Sequence, residues 1–464
     1  MHRVLIRLLW LFAVYAGSAV GQAQQDGELR AQAVEGVVQA RENAAQGTKS
    51  GAQSGAKSGD HGTKSGAQSG ASAREGNRKP LVLLISLDGF RADYLERGHA
   101  PTLQKLAAAG LQSAGMVPVF PTYTFPTHLS LVTGRHPGGH GIVNNVMRDP
   151  GTEQIFRLGA REATENPFWW EEATPIWLSL KAQGKRSATL FWPGADVAIR
   201  GARPDDWIPY EHGMTHERRI ALLLEWLGRP DAQRADFATL YFSDVDSAGH
   251  ASGPDSDAVN RAIARVDASL AALLEGLERL GLRKVTTLVI VADHGMRFVP
   301  IVNTLDGADL LEGFARARWV WFGPTSGLDL HGEDEAAVLK RLERQEKLRC
   351  WSRAQAPVRF GLGSHRRVPD IVCLAEEGYA VGQSRFRPGS LGQHGFDPAD
   401  PQMHALLLVS GHRVEPKRMG KVHQLDVYPM LCALLGIDAE AYDGGDSLVK
   451  ALALDPPGFR KRAR

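Results

Sequence analysis

Short, unbroken apolar runs recur along this chain with helical patterns between them, and that alternation constrains the fold more than any other feature. "LVLLISL" (Leu81 to Leu87) does not alternate apolar with polar, as a half-exposed strand does. It reads as a strand covered on both faces. Similar runs follow in "SATLFW", "FATLYFS", "TTLVIVADHG", "RVPDIVCLA" and "MHALLLVSG". Helical patterns lie between several of them, including "APTLQKLAAAG", "ERRIALLLEWLG" and "SDAVNRAIARVDASLAALLEGLERLG". Strands and helices in this alternation imply an α/β fold with a mostly parallel central sheet and helices on both faces.

Such sheets bind ligands at the carboxyl ends of their strands, so chemistry-bearing residues belong just after the apolar runs. Asp88 follows "LLISL"; Asp246 and His250 follow "TLYFS"; Asp293 and His294 follow "LVIVA"; His394 lies on a loop before "HALLLVS". Each residue alone is common enough to be structural. Together, three Asp and three His at one sheet edge suit a pair of divalent metals, and mixed His/Asp ligation favours zinc over magnesium or calcium. Two metals about 4 Å apart can clamp the attacking and leaving oxygens of a displacement at phosphorus.

The stretch "FPTYTFPTHLSLVTG" holds four threonines: Thr122, Thr124, Thr127 and Thr133. It reads as a helix beginning at Thr124, with Pro126 in the first turn and Gly134 past the end. A threonine at the N-cap would place its oxygen beside free N–H groups, where phosphate binds well. No base adjoins Thr124 in sequence, but a nearby metal would ionise its hydroxyl near neutral pH.

The 464 residues suffice for a sizeable core, and 54 basic against 52 acidic residues give no bulk charge for nucleic acid or a membrane surface. Arg3 and Arg7 precede the apolar run "LLWLFAVYAGSAVG", with small residues after it. This is the layout of a secretory signal over residues 1–23, and the run is short for a membrane span. An exported protein, periplasmic or secreted, is expected, with an uncleaved anchor as the alternative. Residues 24–79 read as a flexible tether, in which "GTKSGAQSGA" occurs twice with a period of 15 residues. The folded domain is expected over residues 80–452 and a basic tail over 453–464. Of the three cysteines, Cys350 and Cys373 are the favoured disulfide pair, while Cys432 reads as a small buried apolar residue.

The segments "LISLDGFRADYL", "PTYTFPTHLSLVTGRHPGGHGIVNN", "FWPGADV", "DSAGHASGP", "ADHGM" and "GQHGFD" resemble the nucleotide pyrophosphatase/phosphodiesterases of the alkaline phosphatase superfamily. The resemblance runs from about Pro80 to Ala451, with the motifs in order and at matching spacing. It implies an alkaline phosphatase-like fold in which Thr124 is the nucleophile. One zinc would sit on Asp246, His250 and His394, a second on Asp88, Asp293 and His294, with Thr124 near both. Asn145 would donate to a phosphoryl oxygen, together with the backbone N–H of Phe125. Thr122, Thr127, Thr133, His128, His136 and His140 keep structural readings.

The same resemblance implies that Phe125 and Tyr210 sandwich a nucleotide base while Trp192, Pro193 and Tyr241 wall the pocket. Trp192 and Tyr241 read equally as core aromatics beside strands. Several animal members carry a lysine just before the nucleophile; here it is Tyr123, which puts a preference for a phosphate tail in doubt. The implied activity is release of nucleoside 5′-monophosphates through a nucleotidyl-threonine, with phosphomonoesters poor substrates. The alternatives are a choline-headgroup or lysophospholipid phosphodiesterase of the same family and a zinc-containing binding protein without activity. No sequence-specific nucleic-acid binding and no stable membrane insertion are expected, and the oligomeric state is left open.

Overall fold

The computed structural model describes residues 78–383 and 390–459. The signal, the repeat and residues 460–464 lie outside the described residues. The strands that organise the fold are β1 (Leu81–Leu87), β2 (Leu111–Ser113), β3 (Ser187–Leu190), β4 (Asp206–Ile208), β5 (Phe237–Phe242), β6 (Thr286–Val291), β7 (Arg318–Trp321), β8 (Thr325–Asp329), β9 (Leu348–Ser352), β10 (Ile371–Ala375), β11 (Leu407–Gly411) and β12 (Lys417–Met419). Eight form a central sheet in the order β12-β2-β11-β6-β1-β5-β3-β4. All its neighbours pair parallel except β11, which runs antiparallel to both β6 and β2. The mostly parallel α/β architecture read from the sequence is the one observed.

Every residue of β1, β5 and β6 is buried. Successive side chains of a strand point to opposite faces, so full burial means that both faces are covered. The helices doing so are α1 (Pro101–Ala108), α2 (Thr124–Thr133), α3 (His216–Leu227), α4 (Asp244–Ser252), α5 (Asp257–Arg279) and α6 (Val427–Leu435). The long α5 packs on α1, α3 and α4, while α6 packs on α2 and β1. Ser256 caps α5 by accepting from Val259 N–H, and Thr215 caps α3 likewise from Arg218.

One run departs from the sequence reading. "DIVCLA" does form a strand, β10, but it joins a separate antiparallel sheet in the order β7-β8-β10-β9. That sheet has its own apolar cluster around Leu328, Leu342, Ile371 and Cys373. Being covered too, it gives β10 the same unbroken apolar signature. Cys350 and Cys373 face each other across β9 and β10 and form a disulfide, while Cys432 is free and buried. At the domain margins, Arg78 and Lys79 pair with Asp231 and Asp236, and Phe459 stacks on Tyr442.

Candidate active site

The carboxyl ends of β1, β5 and β6 bring the expected residues together. Asp88 stands one residue past β1, and Asp293 and His294 stand two and three past β6. Asp246 lies in the first turn of α4 and His250 one turn later, which puts both on one helix face. Gly89 makes the close approach possible. Its φ is +68°, and a Cβ there would meet the Asp246 Cα at 2.9 Å. Its N–H donates to Asp293 Oδ1 at 3.1 Å, and Asp246 N–H donates to the Asp88 carbonyl at 3.0 Å. The backbone itself therefore locks the three aspartates into one cluster.

The grouping of ligands differs in part from the expectation. Ligand atoms of Asp88, Asp293 and His294 lie within 4.8 Å of one another, as implied. The second such group is Asp246, His294 and His394, so His294 stands between the two. His250 closes on that group, with Nε2 at 3.3 Å from Asp246 Oδ1 and 3.1 Å from His394 Nε2.

The histidines are oriented in a common way. Nδ1 of His250 meets the Gly392 carbonyl at 2.7 Å, Nδ1 of His394 meets that of Thr122 at 2.8 Å, and Nδ1 of His294 meets that of Gly295 at 2.9 Å. A carbonyl only accepts, so each Nδ1 carries a proton, and each ring in its neutral form presents an Nε2 lone pair inward. Two such lone pairs facing each other at 3.1 Å cannot share a hydrogen bond.

The carboxylates have the same problem. Asp88 Oδ1, Asp246 Oδ1, Asp293 Oδ2 and His294 Nε2 are buried without hydrogen-bond partners among the described residues. Each such atom costs about 1–3 kcal/mol if left unsatisfied. Burial, with Asp293 and Asp246 close by, drives the Asp88 carboxyl well above its usual range. Burial also opposes ionisation of Asp246 and Asp293, but positive charge on the neighbouring histidines would hold both below it, a role a divalent cation beside neutral rings would take over. Concentrated carboxylate charge beside inward imidazole lone pairs fits divalent cations, zinc foremost by donor type. Asp88, Asp246, His250, Asp293, His294 and His394 would hold them.

Thr124 opens α2 and lies beside this cluster, at N1 rather than at the cap, which is Tyr123. The extended backbone of Tyr123 takes the cap position, and its side chain turns away to bond the Phe322 and Thr325 carbonyls. The Phe125 N–H donates to Asn145 Oδ1 at 2.9 Å, so the two implied phosphoryl donors bond each other and Asn145 is oriented by its carbonyl oxygen.

A cavity of about 460 Å³ opens from Asp88, Thr124 and Asp246 onto Phe125, Trp192, Pro193, Tyr210 and Tyr241. Trp192 and Tyr241 are buried and line the cavity at once, so the core and pocket readings hold together. Tyr210 is 45% exposed, with its ring 5.1 Å from Phe191 and 6.2 Å from Tyr241. Residues not singled out from the sequence also line it, notably Trp170, Phe191, Asp196, Glu165 and His212. Phe191 and Asp196 flank Trp192 just after β3, where the strand-end rule points. Trp170 comes from a remote segment and is admitted by Gly194, where a Cβ would meet its ring at 2.7 Å.

Residues 82–397 match the family model of type I phosphodiesterases/nucleotide pyrophosphatases. The chain is 33% identical to the bis(5′-adenosyl)-triphosphatase of Xenopus laevis over 376 residues, which are 80% of this chain and 81% of that one. It is 33% identical over 399 residues to Homo sapiens ectonucleotide pyrophosphatase/phosphodiesterase family member 1, covering 82% of this chain and 42% of that larger protein. Among solved structures, murine ectonucleotide pyrophosphatase/phosphodiesterase 5, an inactive threonine-to-alanine variant in complex with AMP, superposes with a TM-score of 0.77. It has 30% sequence identity and covers 81% of this chain and 100% of that one. No helix among the described residues is long and apolar enough to cross a membrane.

Proposed function

Since the chain belongs to the type I phosphodiesterase/nucleotide pyrophosphatase family and is a hydrolase of that class, we propose that it cleaves nucleotide phosphodiester or pyrophosphate bonds from Thr124, with two zinc ions, to release nucleoside 5′-monophosphates. The observation that carries this reading is one cavity joining Thr124 and the metal-ligand cluster to an aromatic wall of base-binding size. The inactive threonine variant of the murine relative and its bound AMP support both halves. Export to the periplasm or beyond accords with the N-terminal signal pattern and with the ectoenzyme names of relatives.

The chain's residues divide the work. Phe125 and Tyr210 stack the base, at roughly 1–3 kcal/mol per aromatic face and with little choice among bases. Trp192, Pro193 and Tyr241 shape the wall. Asn145, held through its Oδ1, presents its amide N–H₂ to a phosphoryl oxygen on which negative charge grows. Bound zinc supplies charge neutralisation and lowers the pKa of hydroxyls beside it. Thr124 Oγ attacks the phosphorus attached to the nucleoside 5′ oxygen, and the bond to the pyrophosphate, nucleotide or alcohol breaks. Water then cleaves the nucleotidyl-threonine, returning the Thr124 hydroxyl and the 5′-monophosphate. Phosphomonoesters fit poorly: Arg161, the one arginine lining the cavity among the described residues, pairs with Glu165 at 2.6 Å.

A choline-headgroup phosphodiesterase is the second reading, favoured by Asp196 among the cavity aromatics, a setting that suits trimethylammonium. A rate comparison separates the two. The purified protein is given the p-nitrophenyl ester of a nucleoside 5′-monophosphate and p-nitrophenyl-phosphocholine, each with chelator and then zinc. A chelator-sensitive preference for the nucleotide ester is the expected result. A preference for the choline ester overturns the base-stacking assignment, and activity indifferent to chelator overturns the metal assignment.

A further inference from the structure

We infer that His128, through its Nδ1–H bond to the Thr124 carbonyl, is a positioning residue for the nucleophile. His128 is fully buried one helical turn after Thr124. Its Nδ1 lies 2.8 Å from the Thr124 carbonyl oxygen and 3.4 Å from Asp293 Oδ2. Its Nε2 lies 2.8 Å from Ser86 Oγ, on the strand that ends at Asp88. The ring stands edge-on to Trp192 at 4.9 Å and to Tyr241 at 5.5 Å, and its own carbonyl accepts from Trp192 Nε1 at 3.2 Å.

One side chain therefore touches the nucleophile's backbone, a metal-ligand carboxylate, the β1 end and the base-pocket wall. The Thr124 carbonyl can only accept, so Nδ1 carries a proton. In a regular helix that carbonyl would need only the N–H four residues on. Here it also takes Nδ1 of His128, and the single Thr127 hydroxyl proton is shared between it at 3.0 Å and the Tyr123 carbonyl at 2.8 Å. These extra bonds fix the peptide that carries Thr124 at the first helical turn, where fraying is greatest. Misplacement of a reacting group by about 1 Å can cost roughly 10²-fold in rate, which is what such a brace prevents.

The inference rests on Thr124 being the nucleophile, and the test keeps the two apart. Asparagine at position 128 places an amide N–H where Nδ1 stands, whereas glutamine reaches the Nε2 position and the Ser86 hydroxyl. With zinc-loaded protein and the nucleotide p-nitrophenyl ester, His128→Asn is expected to keep kcat within about fivefold of wild type. His128→Gln is expected to lose about 30- to 100-fold in kcat with KM nearly unchanged. Equal kcat in the two variants, or losses that track the fall in Tm, would overturn the positioning role. If His128→Gln does not fold, Ser86→Ala serves instead. It frees Nε2 but leaves the Nδ1 bond, so kcat within about fivefold supports the role and a loss like that expected of glutamine overturns it. A Thr124→Ala control that stays active would sink the nucleophile assignment itself, whatever the His128 series shows.

Discussion

The phenol of Tyr241 donates a hydrogen bond to Oδ2 of Asp88 at 2.5 Å. The two residues lie at the carboxyl ends of neighbouring parallel strands, Asp88 just past β1 and Tyr241 within β5 opposite Ser86 in the register. Burial, and Asp88 beside it, push the Tyr241 phenol well above its ordinary value, so it stays a donor. A side chain that walls the proposed base cavity thus also orients a carboxylate of the proposed metal cluster. Tyr241→Phe keeps the ring and removes the donor. Such outer partners are worth roughly 10- to 100-fold in metal affinity, so the variant should release zinc at correspondingly lower chelator concentration. Chelator titration of the two proteins reads this directly, and equal retention would reduce Tyr241 to a wall residue.

A variant at Tyr210 separates the proposed base stacking from bond cleavage. It is half-exposed, so its truncation leaves the core intact. Tyr210→Ala is expected to raise KM for nucleotide esters by about 1–3 kcal/mol of lost binding, roughly 5- to 150-fold, with little change on p-nitrophenyl-phosphocholine. Steady-state kinetics on both esters checks it. A parallel loss on both would mean that Tyr210 shapes the site rather than reading the base.

How much of this was legible beforehand depends on what sets each residue's place. Asp88, Asp246, Asp293 and His294 could be found because a parallel sheet delivers the residues after its strands to one edge. His394 and Thr124 sit off the strands: residue chemistry and the helix-start pattern raised them as candidates, and the resemblance gave them their roles. The cap at Tyr123 was missed because threonine is the better capping side chain, yet the local backbone put Thr124 inside the first turn. β10 was assigned to the wrong sheet because a strand covered in the central sheet and one covered in a separate sheet show the same apolar run. Trp170 and Glu165 reach the cavity from a segment whose path depends on close packing, such as that of Gly194 on the Trp170 ring. No period or spacing encodes that.

Acid should weaken the fold in a defined window. His140 is fully buried, its Nδ1 accepts from Ile142 N–H at 3.2 Å, and burial lowers its pKa to about 3. The unfolded value is about 6.5, so between those limits the unfolded chain holds one more proton. Its contribution is complete above about pH 6.5 and falls as pH drops toward 3, by about 2 kcal/mol at pH 5. Denaturant unfolding at pH 7.5 and pH 5 should show a smaller acid loss for His140→Gln than for wild type. An identical pH slope would place the proton uptake elsewhere.

The most direct test is the zinc-loaded Thr124→Ala variant assayed on a nucleoside 5′-monophosphate p-nitrophenyl ester, with metal content and Tm measured on the same sample. The expected result is a fall in kcat of at least about 10³-fold, with zinc stoichiometry and Tm retained, since the attacking oxygen is gone while its surroundings remain. Turnover within tenfold of wild type would show that another group attacks phosphorus, and the assignment of Thr124 would be wrong.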